Sequence, residues 1–318
     1  MTPTVSVVVP VYNQQPFVAE AINSLLRQTL SDFEIVALDD GSCDRSGAIL
    51  DALAAQDHRI RVVHQLNMGR AVTRQRGIDI SRGKYIAMMD PDDIAFPWRL
   101  ERHFRFLEDH PDVVCVGAEH IKICPYGMEI AGSVHLHDHQ GIVDRLRTGD
   151  GDALTQGASM FHRSAVDSVG GYNLTLKYGE DIEFFLRLSS IGLLANVSWP
   201  AIQYRQHPAS ANQSCTEDEL IALQQSLAVL GVEWSPSQLL GPPRTLRERR
   251  SMFHLRCARI AMHQGAVHYC GKHLRDAIVG GVWASTTFRE ALSIAKDCVQ
   301  VKWRQNSVAK SSSHSLCE

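Results

Sequence analysis

The chain reads as an α/β protein in which a mostly parallel, Rossmann-like sheet carries helices on both faces and is followed by a helical C-terminal region. Three observations point there. Val5 to Val11 is a near-continuous β-branched run, the pattern of a strand buried on both faces. Phe33 to Leu38, Ile60 to Val63, Tyr85 to Met89 and Val113 to Val116 repeat it. Helical periods lie between these runs, and strand alternating with helix requires parallel pairing through right-handed crossovers.

The first helix follows Pro16, with Phe17, Ala21, Ile22, Leu25 and Leu26 on one face. A second is expected over Ser46 to Ala55 and a third over Ala71 to Ile80, stopping near Gly83. From Gly117 to Gly157 the alternation weakens, and this stretch, with His135, His137 and His139, is expected to be a variable loop region beside the site. After His207 the run PASANQSC reads as a linker. Leu220, Leu223, Leu227 and Leu230, then Phe253, Cys257 and Ile260, recur at helical spacing. The expected division is 1–212 for the α/β domain, 213–309 for the helical region and 310–318 for a disordered tail.

Composition limits the possible functions. With 318 residues, 44% hydrophobic, the chain can bury a substantial core without disulfides. A formal charge of −3 gives no global basic footprint, so nucleic acid is not an expected partner. The eight cysteines are scattered without a C-x-x-C pair, as reduced thiols are, and no basic n-region precedes VSVVVPVY. These features favour a cytoplasmic location. Ala277 to Ser285 is too short to cross a bilayer.

In such a sheet, chemistry gathers at the carboxyl ends of the strands. Strand one enters PVYNQQP, not G-x-G-x-x-G, and no G-x-x-x-x-G-K-[ST] loop exists, so the dinucleotide and P-loop devices are missing. Strand two ends in Asp39-Asp40-Gly41-Ser42 and strand four in Asp90-Pro91-Asp92-Asp93. A lone Asp-Gly-Ser commonly caps a helix or makes a turn. Two acidic clusters at one sheet mouth instead favour a hard divalent cation bridging to a diphosphate. Gly179-Glu180-Asp181 opens an amphipathic helix, where its acids also suit the helix dipole. Gly157 to Phe161 and Gly170-Gly171-Tyr172 supply permissive backbone for a close substrate, and Tyr204-Arg205-Gln206-His207 brings a cation and an imidazole.

Taken in order, PVYN, DDGS, Asn67-x-Gly69 with Arg74, the D-x-D strand end, Gly-Gly-Tyr, Glu-Asp and Tyr-Arg-x-His resemble glycosyltransferase family 2, whose fold is of the GT-A type. The resemblance covers about residues 4 to 208. It implies a metal-dependent, inverting transfer of one sugar from a nucleotide-diphosphate sugar, usually a UDP-sugar, to a hydroxyl acceptor. The acceptor would be a carbohydrate, a lipid-linked glycan or a protein in cell-surface glycan synthesis. Pro10, Tyr12 and Asn13 would line the nucleotide pocket, Asp39 or Asp40 would accept from the base imide, and Arg74 would reach the nucleotide or diphosphate. Asp90 would hold ribose or sugar. Asp92, with Asp93 and His207, would hold Mn2+ or Mg2+. Gly157, Gly171 and Glu180 would face the donor or acceptor sugar, and Asp181 would be the catalytic base.

Cys43 and Gln75 depart from the family pattern, and the Q-x-x-R-W signature of processive synthases is absent. Two other functions compete. A nucleotidyltransferase would bring a Gly-rich basic loop that PVYNQQP lacks, and a catalytically silent sugar-nucleotide or glycan-binding protein would not need carboxylates at 92 and 181. His135, His137 and His139 could bind a transition metal, but a solvated loop is the simpler reading. Arg244, Arg247, Arg249, Arg250, Arg256 and Arg259 could lie on an anionic membrane as a peripheral contact, or form a solvated helix face.

Overall fold

A computed structural model of the chain describes residues 2–207, 217–234, 246–279 and 293–294. The linker 208–215, Arg244, most of 277–285 and the tail 310–318 lie outside them, as do the side chains of Arg247 and Arg249. The N-terminal half follows the expected alternation: β1 (Val5–Val11), α1 (Val18–Leu26), β2 (Phe33–Asp39), α2 (Ser46–Ala54), β3 (Ile60–His64), α3 (Arg70–Ile80) and β4 (Tyr85–Met88). β1 pairs in parallel with β2, from Val5 opposite Phe33 to Val11 opposite Asp39, and with β4, while β3 extends the parallel set beyond β2.

The unbroken apolar runs are explained by burial on both faces. Val5, Val7, Val9 and Val11 join one core with Ile22 and Leu25 of α1. Val8, Val36 and Leu38 point into another with Ile78 of α3.

Beyond β4 the direction reverses. β5 (Ile94–Ala95), α4 (Arg99–Asp109), β6 (Val113–Ile123), β7 (Glu129–Gly132), α5 (His139–Arg147), β8 (Met160–His162), α6 (Arg163–Val169), α7 (Glu180–Leu188) and β9 (Leu193–Arg205) follow. The strand order is β3-β2-β1-β4-β8-β6-β9-β5, with β8 antiparallel to both β4 and β6, and β5 antiparallel to β9.

The expected loop at 117–157 is corrected here. β6 runs on to Ile123, and Asp138 caps α5 by accepting from Gly141 N at 2.9 Å, so Ile142, Val143 and Leu146 are buried. The three histidines diverge. His135 is buried beside His120, His137 is exposed with Glu119 at 3.4 Å, and His139 Nδ1 accepts from Leu194 N at 3.0 Å.

Two units carry these elements. The first holds the sheet, α1 to α7 and also α8 (Glu217–Val229), whose Leu220, Leu223 and Leu227 join the core containing Ile182 and Phe185. Leu223 fills the space beside Gly179, so α8 packs with the α/β unit. The second holds residues 122–131, α9 (Leu246–His263) and α10 (Val267–Val279), around Cys124, Met128, Leu255, Cys257, Cys270 and Leu274. Burial pushes the Cys257 thiol up to about 12, the behaviour of an inert core thiol. Among the described residues no helix is long and apolar enough to cross a membrane.

Gly77 sets how closely α3 lies on the sheet: a β-carbon there would meet Val8 Cγ1 and stand 2.8 Å from Leu38 Cδ1. Gly77→Ala would gain about 1 kcal/mol of helix propensity and lose roughly 1 to 3 kcal/mol to overpacking. Urea titration should show a net destabilisation of about 1 kcal/mol. A stabilised variant would mean that α3 can lift off without cost.

Candidate active site

The turn after β1 and the turn after β2 are laced together. Asn13 takes φ 52°, which asparagine tolerates better than most residues. Its N–H donates to Ser42 Oγ at 3.0 Å and its Oδ1 accepts from Cys43 N at 2.8 Å. Asp39 Oδ1 accepts from Ser42 N at 3.1 Å, and Asp39 Oδ2 lies 3.0 Å from His64 Nδ1. His64 Nε2 in turn meets Asp51 Oδ1 at 2.9 Å, and the hydrogen bond to Asp39, with that to Asp51, raises the imidazole above its usual value. Asp40 is differently committed. It accepts from Met68 N at 2.8 Å, Gln65 Nε2 at 2.6 Å and Gly69 N at 3.0 Å, and so shapes the loop that starts α3. Tyr12 stands 47% exposed at this rim, next to the half-buried end of β1 at Pro10.

Arg74 projects from α3 and is buried. Its Nη1 ion-pairs with Glu180 Oε1 and its Nη2 lies 3.3 Å from Asp90 Oδ1. Burial alone would lower its pKa, but Glu180 and then Asp90 outweigh that and hold the guanidinium above its ordinary value. Arg70 reaches the same Glu180 oxygen at 3.6 Å and donates to Lys177 O at 3.0 Å. Glu180 is only 1% exposed, and its carboxylate is engaged by the two arginines. Asp181, next in α7, is half-buried, with Oδ1 accepting from Ile182 N at 2.9 Å. Its charge is felt at Arg74, Asp90 and Tyr172, which places it close to these groups.

The acidic end of β4 is fastened from below and from the side. Asp93 Oδ1 accepts from Arg205 N at 2.8 Å, and Arg205 Nε donates to Asp92 O at 2.7 Å. Arg205 Nη2 pairs with Glu20 Oε2 at 2.6 Å. Asp93 Oδ2 is buried without a hydrogen-bond partner, and burial, reinforced by Asp92 and Asp90, pushes this acid well above the usual carboxylate range. Gly157 makes that crowding possible: a β-carbon there would stand 2.8 Å from Asp90 Oδ2 and 3.1 Å from Asp93 Oδ2. Fully buried Arg99 lies near both acids and donates to Met88 O and Ser159 O; burial brings its pKa down to about 10.

Gly171 has φ 72° and its open side is filled by Gln75, whose Oε1 accepts from Tyr172 N at 2.9 Å. Tyr172 also receives a hydrogen bond from Gln156 and stacks on Phe184 at 4.3 Å. His207 is buried two residues beyond Arg205 and belongs to the second unit.

Among the described residues no set of three His, Cys, Asp or Glu side chains is arranged to hold a metal. A small divalent cation bound mainly by substrate phosphates and water needs only one or two carboxylates, and half-buried Asp92 and Asp90 suit that requirement. Asp93 suits it less, with one oxygen given to Arg205 and the side chain 1% exposed.

Sequence reasoning did not single out Glu20, His64, Gln65, Gln75, Arg99 or Gln156 as parts of this site. Glu20 and Arg205 are 185 residues apart, and no local pattern announces such a pair.

Residues 6–170 match the family described as "Glycosyl transferase family 2", just over half of the chain, and the protein belongs to that family. Among relatives, an uncharacterised glycosyltransferase of Bacillus subtilis, EpsJ, is 54% identical over 93 residues, 29% of this chain and 27% of that one. The glycosyltransferase GlyG of Streptococcus pneumoniae is 39% identical over 118 residues, 37% of this chain and 39% of its own. The matched part thus spans well under half of either relative's length. TarS residues 1–349 of S. aureus, solved in complex with UDP-GlcNAc, superposes with a TM-score of 0.60 at 15% identity, covering 95% of this chain and 92% of that one. That likeness is one of fold.

Arg74→Met leaves Glu180 as a buried carboxylate with only Arg70 near it, and should cost about 3 kcal/mol in urea unfolding. The double variant Arg74→Met, Glu180→Met should recover at least about 1 kcal/mol of that loss. Additive losses would show that the pair does not hold α3 to α7.

Proposed function

We propose that the chain is an inverting glycosyltransferase that moves one sugar from a UDP-sugar to a hydroxyl acceptor in the synthesis of a surface glycan, on a carbohydrate, lipid-linked or protein acceptor. The observation that carries this is the split of the Glu180-Asp181 pair. Glu180 is engaged by Arg74 and Arg70, while Asp181 is half-buried with no arginine ion pair among the described residues and lies near enough to Asp90 for its charge to act there, as Asp92 does. Family membership supports the reaction class, and the complex of TarS with UDP-GlcNAc supports a uridine donor.

In this reading Asp181 accepts the proton of the acceptor hydroxyl as its oxygen attacks the anomeric carbon. The bond from that carbon to the diphosphate oxygen breaks, and the nucleoside diphosphate leaves with the electron pair. Asp181 acts through its placement, which its buried neighbour fixes. Tyr12 and the Asn13 turn border the nucleotide, and Arg74 faces Asp90 on the donor side. Asp92, with Asp90, is assigned to hold Mn2+ or Mg2+, which when bound offsets the charge of the leaving diphosphate. Buried thiols such as Cys115 and Cys257 agree with a reducing, cytoplasmic location.

The first test is a thermal-shift screen of nucleoside diphosphates with and without Mn2+. UDP should raise the melting temperature most and should need the ion, because stabilisation grows with ligand concentration over Kd. Asp92→Asn should abolish the ion-dependent part of that shift. Asp181→Asn should keep UDP binding and lose about 10²- to 10⁴-fold in transfer. Near-native turnover of Asp181→Asn would remove the base assignment, and release of pyrophosphate in place of UDP would replace the reaction class.

A further inference from the structure

The second unit carries a surface that the transfer reaction does not use. Between 244 and 276 the sequence holds eight Arg and Lys against Glu248 and Asp276, in a chain whose net charge is −3. The structure sorts these charges. Ser251 Oγ donates to Ala277 O at 3.1 Å and His254 Nδ1 lies 2.9 Å from His273 Nδ1, so α9 and α10 run antiparallel, with Ser251 and Ala277 facing each other.

One side of the helix pair is covered by the 122–131 segment. Tyr126 donates to Asp276, Lys272 Nζ lies 5.0 Å from the Tyr126 ring, and Gln264 Nε2 donates to Glu129 O at 3.2 Å. Among the described side chains of the helix pair the one acid, Asp276, thus meets Tyr126 on that side, and it also lies 3.9 Å from Arg275 Nε.

The opposite side is exposed. On α9, Met252, Arg256, Arg259 and His263 are exposed and spaced i, i+4, i+7 and i+11, which makes one stripe. On α10, Arg275 and Ile278 are exposed one turn apart. Because the helices are antiparallel, one step on from Ser251 and one step on from Ala277 turn Met252 and Ile278 toward the same side, away from Asp276. Met252 is 44% and Ile278 51% exposed.

We propose that this face of α9 and α10 docks on the surface of an anionic phospholipid bilayer. Guanidinium groups pair with lipid phosphates, and Met252 and Ile278 enter the boundary between headgroups and acyl chains. A soluble polyanion would use the arginines but leave those two apolar side chains in water, so their position among the basic residues favours lipid. Such docking would hold the chain at the surface where a lipid-carried acceptor is presented; it does not depend on the transfer reading.

The test is flotation of the full chain with phosphatidylcholine vesicles, with and without phosphatidylglycerol, at low and high salt. Binding should require phosphatidylglycerol and fall with salt. Arg256→Gln, alone and with Arg275→Gln, should weaken it by about fivefold per arginine, with an unchanged melting temperature and unchanged UDP binding. Met252→Asp should weaken it at constant basic charge. Equal binding to neutral vesicles, no binding to either, or indifference to the arginine variants would overturn the proposal. So would capture by soluble polyphosphate without vesicle binding, which would assign the face to a dissolved polyanion.

Discussion

The buried guanidinium of Arg74 is the constraint on which the rest of the site depends. It rises from α3, in the parallel half of the sheet, and ends between Asp90 at the end of β4 and Glu180 at the start of α7. A charge that far from water is tolerable only when its partners are fixed and close. Fixing Glu180 also fixes the residue after it in a helix, one hundred degrees around the axis, and that residue is Asp181. Asp181 owes its direction to a neighbour that the arginines hold.

A second constraint comes from crowding among like charges. Asp90, Asp92 and Asp93 occupy four residues, and Gly157 lets the oxygens of two of them approach one small space. The fold answers with backbone donors and cations at the rear. Arg205 holds Asp93 through its N–H and Asp92 through its guanidinium, and Arg99 sits buried near the same acids. The acids thereby divide their work, with Asp93 inside the fold and Asp92 nearer the mouth.

The N-terminal half was legible because two-sided burial writes itself as unbroken β-branched runs, and because the crossover helices have ordinary apolar faces. α4 escaped because RLERHFRFLED buries Arg99, Leu100, His103 and Leu107, too polar a stripe to stand out. β9 contains Pro200, a residue that usually argues against a strand. At the site, acidic residue types at strand ends singled out 39–40 and 90–93 in the sequence. Their individual roles were hidden, since nothing local distinguishes Glu180 from Asp181 or Asp39 from Asp40. The distinction lies in partners such as Arg74, His64 and the 65–69 loop, which only the folded chain brings near.

The clasp formed by Arg205 also bears on how the chain comes together. It joins Glu20 in α1 to the last strand of the sheet, closing a loop of 185 residues. Loops of that size are entropically late to close, whereas the early crossover units rely on neighbours in sequence. In an order of assembly that begins with those local units, a nascent polypeptide emerging from the ribosome acquires its parallel scaffold long before the crevice is finished. Until the final strand arrives, Asp92 and Asp93 lack the Arg205 clasp, so an interrupted or truncated product would retain much of its architecture while lacking a finished cluster at 90–93.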